Sequence, residues 1–281
     1  MKTLKTHQQE INSGERFSFG KNWTSFLKLL NEQRIQQAID SLKTNLEVDN
    51  LNGKSFLDIG SGSGLFSLAA KQLGAKVFSF DYDPQSVACT KELKRRYFEN
   101  DNDWEIQTGS VLDTDYLSRL GKFDIVYSWG VLHHTGAMWD ALSNIDSNLA
   151  TNGKLFLALY NDQGGASKRW YTVKKIYNKL PIYLKQLFAF LIYTPLEFKY
   201  FFIHLVRGKP QIYFSEIINY EKNRGMNWLH DKIDWIGGYP FEVSKPEQIF
   251  FFYKKLGYSL EMLKTCGGGK GCNEFVFQRI G

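Results

Sequence analysis

Residue type and spacing suggest chemistry most plainly at two places in this chain. One is the run Leu57-Asp58-Ile59-Gly60-Ser61-Gly62-Ser63-Gly64, and the other is the adjacent pair His133 and His134. Glycines carry no Cβ, so they let a backbone turn tightly and come close to a ligand. The spacing G-x-G-x-G is one residue short of the dinucleotide pattern G-x-G-x-x-G, and no Lys-Ser/Thr pair follows to hold a triphosphate. Seventeen residues beyond Gly64 stands Asp81, whose carboxylate can accept both hydroxyls of a ribose. Loop and acid together predict a nucleoside-bearing ligand. A histidine titrates near 6.5 and suits removal of a proton at neutral pH. Neighbouring residues rarely point the same way, so one histidine is expected to act, His133 in preference, and the other to be structural. The alternative is that neither is a base and the reaction runs by proximity alone.

These residues need elements to hold them. Short apolar runs alternate with helical stretches from Asn50 onward. Strands are predicted at 55–59, 76–80, 104–108, 123–127 and 154–160, and helices at 65–73, 84–97 and 140–149. This alternation predicts a parallel sheet wrapped on both faces. The Gly loop then falls between the first strand and its helix, Asp81 at the end of the second strand, and the histidines just after the fourth. Before the sheet, Asn22 to Leu46 reads as one helix. Near Asn161 the rhythm breaks for about ninety residues and resumes near Pro246 with a helix and two strands. Four parts follow: an N-terminal helical cap (1–49), a core (50–161), an inserted lid or substrate-recognition segment (162–245), and a C-terminal completion of the sheet (246–281). The fold class is α/β, with a helical and aromatic insertion after strand 5. Such an insertion would sit over the carboxyl edge of the sheet, where open α/β folds bind ligands.

At the Gly loop and three later motifs the sequence resembles the class I S-adenosylmethionine-dependent methyltransferases. The later motifs are Phe80-Asp81-Tyr82-Asp83-Pro84, Gln107-Thr108-Gly109-Ser110-Val111 and the run from Phe123 to His134. The resemblance implies a Rossmann-like, mostly parallel seven-stranded sheet with an antiparallel last strand, and S-adenosyl-L-methionine as cofactor. It puts Gly60, Ser61, Gly62, Gly64 and Leu65 against that cofactor and Asp58 near its amino-acid end. Asp81 would take the ribose, Tyr82 would flank the adenine, Ser110 and Val111 would edge the base, and Ser128 and Trp129 would complete the site. Family members often carry Asp where Ser110 stands. Phe19 and Trp23, in the arm before the first helix, would either cap the cofactor or anchor the helix.

For the acceptor, Tyr160, Asn161, His230, Trp235 and Tyr239 are the expected contacts, since rings stack on sugars and nucleobases. His230, Asp231 and Asp234 also invite a metal reading, but no second carboxylate set stands at a convincing spacing, and no metal is expected. The turn Cys266-Gly-Gly-Gly-Lys-Gly-Cys272 would join the final strands, and its lysine could reach a phosphate.

With 281 residues, 43% hydrophobic, 23% charged and three cysteines, the composition excludes intrinsic disorder and a disulfide scaffold. No signal peptide is read at the start. Leu187 to Val206 is apolar, but Pro195, Glu197, Lys199 and His204 interrupt it, so no membrane span is expected and peripheral contact is left open. A cytoplasmic location fits the thiols. Net charge is +6, and 13 Lys/Arg face 8 Asp/Glu between Asn161 and Phe250. That excess points to an anionic partner. The insertion and its glycine-rich tail resemble methyltransferases found among bacterial surface-polysaccharide genes, which implies O-methylation of a small anionic acceptor such as a nucleotide-linked sugar. A tRNA-modifying enzyme, a quinone or lipid methyltransferase and a cofactor-binding regulator are the alternatives.

Overall fold

The computed structural model describes residues 6–220, 228–267 and 271–280, with the backbone alone for Lys21 and His230. A seven-stranded sheet in the order β3-β2-β1-β4-β5-β7-β6 forms its centre. The strands are β1 (Ser55–Ile59), β2 (Lys76–Asp81), β3 (Trp104–Thr108), β4 (Phe123–Trp129), β5 (Leu149–Tyr160), β6 (Tyr258–Lys264) and β7 (Cys272–Arg279). All neighbours pair in parallel except β7, which runs antiparallel to both β5 and β6. β1 and β4 are near-continuous apolar runs, buried along most of their length, as both-face coverage requires.

Helices cover the two faces. Ahead of the sheet lie α1 (His7–Asn12), α2 (Gly20–Leu29) and α3 (Glu32–Leu46), and between its strands α4 (Leu65–Gln72), α5 (Pro84–Tyr97), α6 (Thr114–Leu120) and α7 (Met138–Asn144). α3 buries Ile35, Ala38, Leu42 and Leu46 at helical spacing against α4 and the sheet, each large side chain adding about 1.5–3 kcal/mol. The helix expected from Asn22 to Leu46 is two helices. Leu30 is extended, and the Asn31 side chain accepts the Arg34 N–H as a new N-cap. β5 begins five residues earlier than expected because Asn152-Gly153 sits within the strand, where its register against β4 shifts.

The insertion is helical, as expected, and its helices are longer than the sequence pattern suggests. Its broken periodicity folds as α8 (Gly165–Lys179), α9 (Ile182–Val206), α10 (Pro210–Ile218) and α11 (Trp228–Gly237), followed by α12 (Pro246–Lys255) beside β6. α9 runs unbroken through Pro195, and the Thr194 hydroxyl donates to the Phe190 carbonyl at 2.7 Å, on the turn that proline disturbs. At 25 residues, α9 is the one described helix long and apolar enough to cross a membrane. One of its faces packs on α8 and α11, where Ala189, Tyr177 and Ile236 form a small core of their own.

Candidate functional site

Glycines shape the turn from β1 to α4. Gly60, Gly62 and Gly64 have φ of +78°, +56° and +81°, a backbone that costs an ordinary side chain roughly 1–2 kcal/mol. A Cβ on Gly60 would lie 2.4 Å from Val131, and one on Gly62 3.0 Å from the Trp23 indole. Space as well as conformation therefore demands glycine. The tip of β2 holds the loop in place. Gly62 N–H donates to Asp81 Oδ2 at 2.9 Å, and Asp83 N–H donates to Oδ1 at 2.8 Å. Each oxygen keeps a lone pair for a ligand. Burial pushes the Asp81 carboxyl up to about 6.

Asp58 lies deeper. Only 2% of it is exposed, and the Ser67 hydroxyl donates to its carboxylate. Burial pushes it up to about 7, with the nearby Asp81 charge adding to the rise. A buried acid held half neutral at pH 7 is a place where a cation would be welcome.

The N-terminal arm closes over this loop. Gly20 N–H donates to Asp83 Oδ2 at 2.9 Å, Arg16 Nη1 donates to the His134 carbonyl at 2.9 Å, and the Arg16 guanidinium lies 4.9 Å from the Tyr82 ring centre. Phe19 stands 4.9 Å from the His134 ring, between centroids.

A cavity of about 1740 Å³ runs from the loop to the insertion. At one end Asp58, Gly60, Ser61, Gly62, Leu65, Asp81, Tyr82, Ser110, Val111 and Trp129 line it, with Trp23 and Tyr127. At the other end stand His134, Tyr160 and Trp235, joined by Tyr193, Asp231, Lys232 and Asp234. The Tyr160 and Trp235 ring centres are 5.5 Å apart.

Five expected contacts do not line the cavity, each for a local reason. Gly64 backs onto Thr90 of α5. Ser128 turns inward, its hydroxyl donating to the Ile59 carbonyl at 3.0 Å. His133 is fully buried beneath Tyr160, with ring centres 3.8 Å apart. Asn161 is held between the Gly267 carbonyl at 3.0 Å and the Asn273 amide at 3.1 Å. The Tyr239 ring faces Tyr171 at 5.9 Å, while its carbonyl accepts the Phe17 N–H at 2.8 Å. The side chain of His230 and the turn lysine, Lys270, lie outside the described residues.

The histidines differ in role. Tyr160 N–H donates to His133 Nδ1 at 3.3 Å, and His133 Nε2 has no partner among the described atoms. His134 Nδ1 lies 2.6 Å from the Pro240 carbonyl, which can only accept, so that nitrogen carries the proton and Nε2 the lone pair. Burial depresses both rings, His134 to about 3 and His133 well below the ordinary range, with the Lys174 charge opposing protonation further. Both are neutral at pH 7 and reluctant to become imidazolium.

Asp234 is the group that sequence reasoning weighed only as a metal ligand. It lines the cavity, accepts a hydrogen bond from the Asn22 amide, and burial beside Asp231 pushes it up to about 7. Asp231 accepts from the Tyr220 hydroxyl, and Glu197 accepts from Lys232 and from Tyr213 at 3.0 Å. Among the described residues no group of three or more His, Cys, Asp or Glu is arranged to hold a metal ion. No disulfide joins Cys89, Cys266 or Cys272 among the described residues.

Comparison with known proteins gives a consistent picture. A family model described as "Methyltransferase domain" matches residues 30–188. The chain is 34% identical over 121 residues to the ribosomal protein L11 methyltransferase of Prochlorococcus marinus, covering 42% of this chain and 39% of that one. It is 26% identical over 161 residues to the mitochondrial ubiquinone biosynthesis O-methyltransferase of Schizosaccharomyces pombe, covering 55% and 57%. These matches span less than two thirds of either relative. Among solved structures, magnesium protoporphyrin IX methyltransferase from Synechocystis PCC 6803 with bound SAH superposes with a TM-score of 0.52 at 15% identity, covering 99% of this chain and 90% of that chain. That is a likeness of fold.

Proposed function

The chain belongs to the methyltransferase-domain family, and on that premise we propose that it is an S-adenosylmethionine-dependent O-methyltransferase acting on a small anionic acceptor, such as a nucleotide-linked or phosphorylated sugar of surface-polysaccharide biosynthesis. The observation that carries this reading is the continuity of the cavity. One end offers a glycine turn with one buried and one half-buried carboxylate, and the other offers aromatic rings with a polar floor. The donor set suits S-adenosylmethionine, a doubly cationic nucleoside apart from its carboxylate. Asp81 would take the ribose hydroxyls, Asp58 would face the amino-acid end, and Trp23 would cover the glycine loop. When bound, that cofactor supplies a methyl group already activated on a sulfonium.

The protein's remaining work is positioning and the acceptor's proton. Asp234 takes that proton, because a carboxyl held near 7 is matched to a base working at neutral pH. His134 serves as the orienting acceptor through Nε2. Burial makes it too weak a base for the role that the sequence suggested, and His133 is walled off by Tyr160. Trp235 and Tyr160 supply ring faces for a sugar. The basic excess of the insertion supports an anionic acceptor by attraction over distance rather than by contact within the cavity. A second reading, a lipid or quinone acceptor, is favoured by the apolar face that α9 leaves exposed.

The test is methyl transfer from labelled cofactor to nucleotide sugars, quinols and unmodified tRNA, run side by side. Label on a nucleotide sugar is expected, and label confined to quinol or tRNA refutes the acceptor class. With the true acceptor, Asp234→Asn should lower kcat by about 10²–10⁴ and leave cofactor affinity intact. An unchanged kcat for Asp234→Asn removes it as the base.

A further inference from the structure

Charge and exposure are distributed unusually over α8 to α10. Between Gly165 and Ile218 nine Lys/Arg face two Glu, a net +7 in a chain whose total is +6. Glu197 is half-buried and accepts from Lys232 and Tyr213, which leaves Glu216, at the cavity rim, as the exposed acid. The cations that flank α9, such as Lys175, Lys179, Lys199, Arg207 and Lys209, are exposed.

α9 itself has two faces. Phe188, Ala189, Ile192 and Tyr193 pack toward α8 and α11. Opposite them Tyr183, Leu187, Leu191, Phe198, Phe202 and Val206 follow at intervals of four, four, seven, four and four, each between 55% and 75% exposed. Pro195 fills the gap in that stripe. Scattered exposed hydrophobics are ordinary, but an unbroken stripe along six turns of helix is not.

We propose that the exposed face of α9, with its basic flanks, docks the protein on an anionic lipid surface. A helix with aromatic and leucine residues on one side and a Lys/Arg-rich surround is the form that lies in the membrane–water interface. The flanking cations add attraction to acidic headgroups, additive with each charge near the surface. A second copy of the chain is a poorer occupant. In a two-fold dimer the same patch meets itself, so the basic flanks would be brought together. Spanning is disfavoured by the other face. There the Tyr193 hydroxyl donates to the Lys232 carbonyl at 2.8 Å, and the Glu197–Lys232 ion pair sits beyond the helix midpoint. Insertion would carry that pair into hydrocarbon or tear it apart. The docked orientation has a consequence for the cavity, since Tyr200 and Tyr213 of the same hairpin line it. An acceptor held at the membrane surface would then meet the cavity wall directly.

The experiment is co-sedimentation of the full chain with vesicles of phosphatidylglycerol and phosphatidylcholine in equal parts, and of phosphatidylcholine alone. It needs no acceptor and no cofactor, so its failure leaves the proposed reaction standing. Tighter binding to the acidic vesicles by tenfold or more is expected, weakening as salt rises. The variant Leu191→Gln/Phe198→Gln/Phe202→Gln should lose at least tenfold in vesicle affinity while its affinity for S-adenosylhomocysteine, read by calorimetry, is unchanged. The double variant Lys199→Gln/Arg207→Gln should lose the preference for acidic lipid, and it touches none of the helix packing. The proposal is overturned if neither vesicle binds, if the triple variant binds as the parent does, or if alkaline carbonate fails to release the bound protein. A dimer in light scattering that the triple variant dissociates, without vesicle binding, overturns it in favour of a second copy.

Discussion

At Asp58 a single carboxyl couples the site to pH. Burial raises it to about 7, the Ser67 hydroxyl lowers it in part, and the Asp81 charge raises it. Because its native value lies above the ordinary one, the native state binds this proton more tightly than the unfolded chain does. Its contribution to stability is therefore fully present below about pH 4 and is lost as pH rises through about 7. A cationic ligand beside Asp58 reverses the preference, since it favours the carboxylate. Binding of S-adenosylhomocysteine, which keeps the ammonium, should release close to one proton at pH 6 and almost none at pH 8. Affinity should rise by up to about tenfold per pH unit below 7 and then level off. Calorimetry in two buffers of different ionisation heat measures the proton count. Asp58→Asn should bind more weakly at pH 8 and show no such release. Release that persists in Asp58→Asn would transfer the effect to Asp81, raised to about 6. The two acids were visible in the sequence through the strand ends they occupy. The depressed histidines were not, because a pair written side by side gives no sign that Tyr160 covers one ring and Pro240 fixes the other.

α2 and the glycine turn form a unit at the scale of elements. The Trp23 indole rests where a Gly62 side chain would begin, and Gly20 N–H is tied to Asp83 at the end of β2. Gly62→Ala must therefore strain its backbone at φ +56° and also displace the indole. Destabilisation of about 2–3 kcal/mol in urea melts is expected, of which roughly 1–2 kcal/mol is backbone strain. In a Trp23→Ala background only the strain remains, so the same substitution should cost less. Equal costs in the two backgrounds would mean that α2 does not rest on the loop. Strands and short helices of the core were legible because alternation and capping act over a few residues, as with Asp83 accepting the Gln85 N–H ahead of α5. α9 was not, since Pro195 normally breaks a helix at a cost of about 3 kcal/mol. Here the proline lies on the exposed stripe of a long helix whose opposite face is anchored in packing, so the tertiary contacts outweigh the local penalty.

Over the whole molecule, the acceptor end of the cavity could not be read from the sequence because it is assembled from distant segments. Asp234 and Trp235 reach Tyr160 and His134 only once the insertion folds back. The arm and α2 then fasten core and insertion together: Phe17 N–H donates to the Tyr239 carbonyl, Arg16 to the His134 carbonyl, and Asn22 of α2 to Asp234. Trp23 of α2 covers the glycine loop. Ligand binding at the loop should therefore stabilise the core and the insertion as one cooperative body. A ligand at a hundredfold its Kd adds about 2.7 kcal/mol. With unfolding entropy of about 2.1 cal/mol/K per residue over 281 residues, S-adenosylhomocysteine should raise Tm by about 5 °C. The measurement is calorimetric, with the shift expected in a single transition whose calorimetric and van't Hoff enthalpies agree. In Arg16→Ala, which loses the bond to the His134 carbonyl, two transitions should separate, and the ligand should move the one that contains the sheet. If the parent protein already melts in two steps and the ligand shifts one alone, the insertion folds by itself, and its arrangement over the cavity does not depend on the arm.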